Sequence, residues 1–269
     1  MKIVKEYEVD NFIKEASFLG GMLSAEDCAK RLGPYVIIGE PNEALLNLQA
    51  QGYCVLAELK HLQGLSDEEV ADAICKEEAV TQYAHVCIDA TQLPQAYFRR
   101  VWCKYMGEPV LIAETDRLVI RESVETDAEA FLELYEDESC RKFLDMPPVE
   151  MRGDRAADVD AYRRYIAQYQ AGQYAFYEYG MWSVVERSGG RCIGRTGLEL
   201  QNENLCLGYA ILPQYRGRGY ATEACRAVLA YCKECEYGET VFVNIDSANT
   251  ASKKVYDKLA SGFLLKLIK

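Results

Sequence analysis

Leu212-Pro213-Gln214-Tyr215-Arg216-Gly217-Arg218-Gly219-Tyr220-Ala221-Thr222-Glu223-Ala224 reads as the end of a strand, a glycine-punctuated basic turn and the start of a helix. Gly217 and Gly219, one residue apart, let backbone N–H groups converge without interference from a Cβ. The first turn of the following helix adds unpaired N–H groups and the positive end of the helix dipole. Arg216 and Arg218 place mobile positive charge in the same region. Downstream, Ala221, Cys225, Val228, Leu229 and Cys232 recur at i, i+4, i+7, i+8 and i+11, the stripe a helix needs to lie on a sheet. Strand, anion-binding turn and amphipathic helix therefore follow one another.

Outward from this unit, strands are expected near Leu118–Arg121, Met181–Glu186, Cys192–Leu200, Leu205–Leu212, Thr240–Ile245 and Gly262–Leu267. Helices are expected near Asp127–Asp137, Ala157–Ala171, Gly219–Cys235 and Thr250–Leu259, the last with Asn249 as N-cap. In the first part of the chain, Tyr35–Ile38, the helical Glu43–Ala50 and Tyr53–Leu56 form a βαβ unit. Ser66-Asp67-Glu68-Glu69 has the form of a capping box, His85–Ile88 is a further buried strand, and a helix runs from about Pro94 to Tyr105. This predicts an α/β chain: a small domain over 1–112 with a mainly parallel sheet, then a second domain over 113–269. Gly107-Glu108-Pro109 punctuates the boundary, with no Gly/Ser-rich or Pro-rich linker.

Arg216, Gly219 and Ala221 match R-x-x-G-x-A, the acyl-CoA pyrophosphate loop, and the chain resembles the GNAT superfamily of acyl-CoA N-acyltransferases. Further ordered matches carry the resemblance: Glu114 to Glu122, Asp127 to Phe131, Cys192 to Leu198, Leu207 to Ile211 and Asp246 to Ser252. The resemblance implies an α+β domain over 113–269 with a mixed, splayed sheet. It implies acetyl-CoA as acyl donor, a primary amine as acceptor (a protein N-terminus or a small amine), and no metal. Pantetheine would lie between Leu205–Leu212 and Thr240–Ile245, pairing with the backbone of Ile211 and Leu212. The pyrophosphate would sit on Arg216, Gly217, Arg218, Gly219, Tyr220, Ala221 and Thr222, and Asn249 and Ser252 match CoA-contacting positions, with N-capping as their other role.

Tyr256 matches the family's general acid, which protonates the departing thiolate; an ordinary phenol, with a pKa of about 10, is protonated at neutral pH. It would otherwise pack with Val255 and Leu259. Where many relatives carry a glutamate, two residues before the Gly-Tyr pair, this chain has Cys206. Glu199 is the replacement base, with a water chain as the other route. The cysteine also keeps a second class open, a non-catalytic acyl-CoA-binding sensor or interaction module. The aromatic stretch Tyr169, Tyr174, Phe176, Tyr177, Tyr179 and Trp182 either lines an acceptor pocket or covers a sheet edge. The family's closing hairpin is shortened here, which exposes an edge strand for the first domain or a second copy to cover as a homodimer. The Val36 to Leu56 unit faintly resembles part of the haloacid-dehalogenase-type fold. That family's nucleophilic aspartate pair is missing, so a scaffold, recognition or dimerisation role is expected for residues 1–112.

The formal charge of −12 divides into −7 over 1–112 and −5 over 113–269. No basic domain or stripe is present, so nucleic acid is set aside as a partner. The first eight residues carry acids where a leader would be apolar, and no 18-residue apolar run occurs, so a cytoplasmic protein with no membrane partner is expected. Eleven cysteines among apolar neighbours read as small buried hydrophobes in a reducing compartment. Cys232-Lys233-Glu234-Cys235 has no second ligand pair nearby to complete a zinc site.

Overall fold

The computed structural model describes residues 1–5, 8–9, 11–12, 24–76, 81–144, 148–174, 177, 179–238 and 240–268. Phe176 of the aromatic stretch lies outside them. The chain divides into two compact units, Met1–Glu108 and Pro109–Lys269. The division falls ahead of the expected 112/113 because Leu111–Glu114 (β5) pairs antiparallel with Leu118–Arg121 (β6) and belongs to the second unit's sheet.

The first unit holds a parallel sheet in the order β1 (Lys2–Lys5), β2 (Tyr35–Gly39), β3 (Val55–Glu58), β4 (Val86–Cys87). Residues of β2 and β3 are all buried, and apart from Glu58 at the end of β3 they form the apolar runs that a sheet covered on both faces needs. Helices α1 (Ala25–Leu32), α2 (Glu43–Ala50), α3 (Asp67–Lys76) and α4 (Gln95–Met106) complete it. The Asn42 side chain accepts from the Leu45 N–H at 2.8 Å and starts α2. The Ser66 hydroxyl accepts from the Glu69 N–H at 3.4 Å while Glu69 accepts from the Ser66 N–H at 2.8 Å, closing the capping box. Strand β3 starts two residues after the expected Tyr53, because the Tyr53 N–H still donates to the Leu48 carbonyl and closes α2. The expected His85–Ile88 strand shortens to Val86–Cys87.

The second unit is built on a mixed seven-stranded sheet, β11-β10-β9-β8-β7-β6-β5. Strands β7 (Met181–Glu186), β8 (Cys192–Gln201) and β9 (Asn204–Ile211) continue antiparallel from β6. Strands β10 (Val241–Val243) and β11 (Leu265–Leu267) run parallel to β9. Helices α5 (Ala128–Glu136), α6 (Glu138–Arg141) and α7 (Arg155–Tyr169) precede β7; α8 (Tyr220–Glu234) and α9 (Thr250–Ala260) flank β10. Arg195 reaches Tyr135 on α5, while its neighbour Thr196 meets Cys225 on α8, so strand alternation assigns the two helix layers to opposite faces. Asp127, 3% exposed, fixes the start of α5: it takes both Arg121 nitrogens at 2.7 and 2.9 Å and the Ser183 hydroxyl at 2.7 Å.

The expected strand Thr240–Ile245 narrows to Val241–Val243, because β10 meets β9 at the single register Phe242↔Cys206 and then leaves it without a partner. The strand expected from Gly262 begins only at Leu265, and β11 is one of the sheet's two edge strands among the described residues, opposite β5. Within the aromatic stretch, Trp182 and Tyr174 are core: the indole N–H donates to the Tyr174 hydroxyl at 3.0 Å, and Tyr231 of α8 packs edge-on at 5.7 Å. No helix among the described residues is long and apolar enough to cross a membrane.

Candidate active site

The glycine turn sits where β9 gives way to α8. Gly217 (φ +73°) and Gly219 (φ +83°) are left-handed, the conformation that turns successive N–H groups to one side. Among the described residues, none of the N–H groups of Gly217, Arg218, Gly219, Tyr220, Ala221 and Thr222 has a partner within the protein. The first intrahelical bond is Glu223 N–H to Gly219 carbonyl at 3.1 Å. Six consecutive free donors at a helix N-terminus make a strong anion cradle.

Arg216 does not point into that cradle. Its Nε donates to the Ile211 carbonyl at 2.9 Å and its Nη1 to Ser139 at 2.7 Å; its Nη2 touches the Cys140 sulfur, and Asp137 lies at 3.7 Å. It is a brace between the end of β9 and α6, a correction to its reading as mobile charge. Arg218 is exposed and its guanidinium lies 5.7 Å from the Tyr215 ring.

Other cations take the place beside the turn. Arg117 donates from Nη1 to the Arg218 carbonyl at 3.0 Å and from Nε to Glu223 at 2.8 Å, and lies 4.5 Å over the Tyr220 ring. Tyr220 in turn donates to Glu186 at 2.6 Å, and Thr115 to Glu223 at 2.6 Å. The start of β6 thus grips the turn from outside. An open pocket of about 630 Å³ lies here, with Arg117, Gly219, Thr222, Arg226 and Lys258 on its walls. Arg226 and Lys258 have no ion pair among the described residues.

Burial works against the charged form of Glu223, but the Thr115 hydroxyl and the Arg117 guanidinium outweigh it and hold the carboxyl below its ordinary value. A folded-state pKa below the unfolded one contributes stability that is complete above the unfolded pKa, about 4.3, and fades as pH falls through the folded value. Glu223→Gln is therefore expected to lower the thermal midpoint at pH 7 and to lose that deficit as pH drops below about 4.3. A deficit unchanged across a pH 3–7 melting series would remove Glu223 from the grip.

The donor edge of β9 follows from ladder geometry. The Leu212 N–H donates to the Ile193 carbonyl of the β8 side, so the alternation of an antiparallel pair turns Tyr209 and Ile211 the other way, toward the diverging β10. Ile211 therefore faces the splay as expected, whereas the Leu212 N–H is already used. Asn249 caps α9, accepting from the Ser252 N–H at 3.0 Å. The Ser252 side chain lies beside the Tyr209 hydroxyl, which is buried without a hydrogen bond of good geometry. Burial pushes Tyr209 up to about 12 despite the favourable influence of Ser252. Tyr256, half-buried on α9, donates to the Leu265 carbonyl of β11 at a long 3.5 Å. Glu199 stands on β8 directly across from Cys206 on the same face. Burial, reinforced by Glu199, raises the Cys206 thiol, so this cysteine stays protonated at neutral pH.

The family model for the acetyltransferase (GNAT) domain matches residues 117–261, more than half of the chain. The chain belongs to the GNAT acetyltransferase family. Solved structures with a similar fold include an acetyltransferase from Agrobacterium tumefaciens str. C58, at 20% identity over 55% of this chain and 81% of that one, with a TM-score of 0.43. A GNAT-family acetyltransferase from Bacillus anthracis matches at 20% identity over 54% and 80%, with a TM-score of 0.44. The microcin C7 self-immunity acetyltransferase MccE, solved with acetyl-CoA and AMP, matches at 12% identity over 54% and 78%, with a TM-score of 0.42. In this GNAT domain, Arg117, Arg226, Lys258 and Tyr209 lie at the candidate site and were not among the residues that sequence reasoning picked out. Arg226 and Thr222 lie four apart on α8, a spacing that could have flagged the arginine.

Proposed function

We propose that the protein is an acetyl-CoA-dependent N-acetyltransferase acting on a primary amine. The observation that carries this reading is the row of free N–H groups from Gly217 to Thr222 at the end of a strand whose outer edge is open. A pyrophosphate on that row, with Arg226 and Lys258 beside it, leaves the pantetheine arm to run along Tyr209 and Ile211 like an added strand. Fixing a flexible thioester along its length brings its carbonyl to one place and turns binding energy into orientation.

The ammonium first gives up one proton and the free amine attacks the thioester carbonyl; a C–N bond forms, the C–S bond breaks, the attacked nitrogen sheds a second proton, and this balances the proton that the departing thiolate gains. A free N–H on the β9 edge would face the oxygen that turns negative. Glu199 takes the proton from the ammonium, directly or through water, and Tyr256 supplies the proton to sulfur. Cys206 cannot replace Glu199 while its thiol stays protonated. Calorimetry with acetyl-CoA and thiol release across small amines and peptides with free N-termini test the proposal. Binding together with release for some amine supports it; tight binding with no release for any amine favours the acyl-CoA sensor, and no binding removes both.

A further inference from the structure

We infer that the α5/α7 face of the sheet around Arg195 is the acceptor site and that it selects amines carrying a carboxylate; this rests on the proposed acetyl transfer. Three cross-strand pairs lie in a row on this face: Arg195↔Ala210, Gly197↔Gly208 and Glu199↔Cys206. A two-glycine step thus separates a cation from an anion. Gly197 admits no larger residue, since a Cβ there would lie 2.0 Å from the Gly180 carbonyl oxygen. The Met181 sulfur lies 3.5 Å from where a Gly208 Cβ would stand, so an adaptable thioether edges the step.

Tyrosines rim this strip. Tyr135 stacks on Tyr162 at 6.0 Å, and Tyr165 on Tyr169 at 5.9 Å. Arg195 donates from Nη2 to the Tyr135 hydroxyl at 2.8 Å, yet no carboxylate pairs with it among the described residues. Its Nε is buried with no partner within the protein, and the same holds for the hydroxyl of Tyr162, a residue only 1% exposed. Arg195 acts electrostatically on Tyr162, Tyr165 and Tyr169, and Glu199 on the latter two. A buried guanidinium nitrogen and a buried hydroxyl, neither with a partner within the protein, are costly to keep unless something meets them.

A planar anion fits best. The guanidinium fork matches a carboxylate with two parallel N–H bonds, and the Tyr162 hydroxyl can donate to the same group. A phosphate dianion would face the repulsion of Glu199 with a single arginine to offset it. Glu199 suits the amine end, because a carboxylate attracts the incoming ammonium and then accepts its proton. Strand β9 carries both halves of the reaction: Ala210 beside Arg195, and Tyr209 and Ile211 on the edge facing β10.

The test pairs each acid with its amide. With acetyl-CoA, kcat/KM is expected to be about tenfold to a hundredfold higher for glycine and glutamate than for glycinamide and glutamine, the scale of a charge-assisted bond. Arg195→Gln should erase that ratio and Arg195→Lys restore part of it, with acetyl-CoA affinity reporting that each variant is folded. Equal rates for acid and amide in the unaltered protein, or a ratio that survives Arg195→Gln, overturn the inference. A second measurement needs no turnover: calorimetry of N-acetylglycine and N-acetylglycinamide in the presence of CoA. If no amine is acetylated but the acid still binds the unaltered protein and not Arg195→Gln, acetyl transfer fails while the anion site stands. Equal binding of acid and amide sinks the site whatever the activity. Tyr162→Phe separates function from packing: loss of a partnerless hydroxyl should leave the thermal midpoint in place or raise it while lowering the acid-to-amide ratio severalfold. A lower midpoint with an unchanged ratio assigns the hydroxyl to structure and counts against the inference.

Discussion

Gly219→Val is expected to weaken acetyl-CoA binding by a hundredfold or more and to lower the thermal midpoint as well. Gly219 holds φ +83° at the N-cap of α8, where a β-branched side chain is a backbone outlier costing roughly 1–3 kcal/mol. The nearest atom to a Cβ at this position is an Arg117 nitrogen at 3.6 Å, an ordinary contact. Strain in the backbone, and not a collision with a side chain, therefore forces the change. To relieve it the turn must rotate, and the N–H groups of Gly219 and its neighbours then no longer point to one side. Each lost bond to a charged group is worth about 1.5–3 kcal/mol, so two suffice for the expected loss of affinity. Arg117 resists the rotation through the Arg218 carbonyl, which is why stability falls together with binding. Calorimetry of acetyl-CoA with the variant decides the matter: unchanged affinity would mean that the donor is not held on this turn.

The turn was legible because its signals are local. Glycines at 217 and 219 and the helical stripe from Ala221 to Cys232 need no knowledge of the rest of the fold, and the expected Asn249 cap likewise depends on three neighbouring residues. What escaped was tertiary. Arg117 precedes the turn by about a hundred residues and meets it only because β6 and α8 share one end of the sheet. Arg216 and Arg218 are indistinguishable as letters, yet the strand end and α6 draw Arg216 away while Arg218 remains exposed. Strand β1, with lysines at both ends, offered no apolar run, and only its pairing beside β2 makes it a strand. The splay expected from family resemblance was placed in the right strands, but the length of β10 depends on where its partner ends.

Tyr256→Phe is expected to lower kcat by roughly 10²–10³ while acetyl-CoA affinity stays near that of the unaltered protein, the range a general acid supplies. The hydroxyl's hydrogen bond to the Leu265 carbonyl is 3.5 Å long. Its removal should therefore cost at most about 1 kcal/mol of stability, so a large fall in kcat cannot be blamed on the fold. Tyr209 is the rival, since its buried hydroxyl lies beside Ser252 next to the splay between β9 and β10. Yet burial pushes Tyr209 up to about 12, well above an ordinary thiol near 8.5, which makes proton transfer from it to a thiolate strongly uphill. Tyr209→Phe keeps the ring and removes a hydroxyl without a hydrogen bond of good geometry, so kcat and the KM for acetyl-CoA should both stay close to those of the unaltered protein. Measuring kcat, KM and thermal midpoint for both variants on one amine separates the two. A fall in kcat confined to Tyr209→Phe moves the acid to β9. Unchanged kcat in both variants leaves water as the proton source and reduces Tyr256 to a packing residue between α9 and β11.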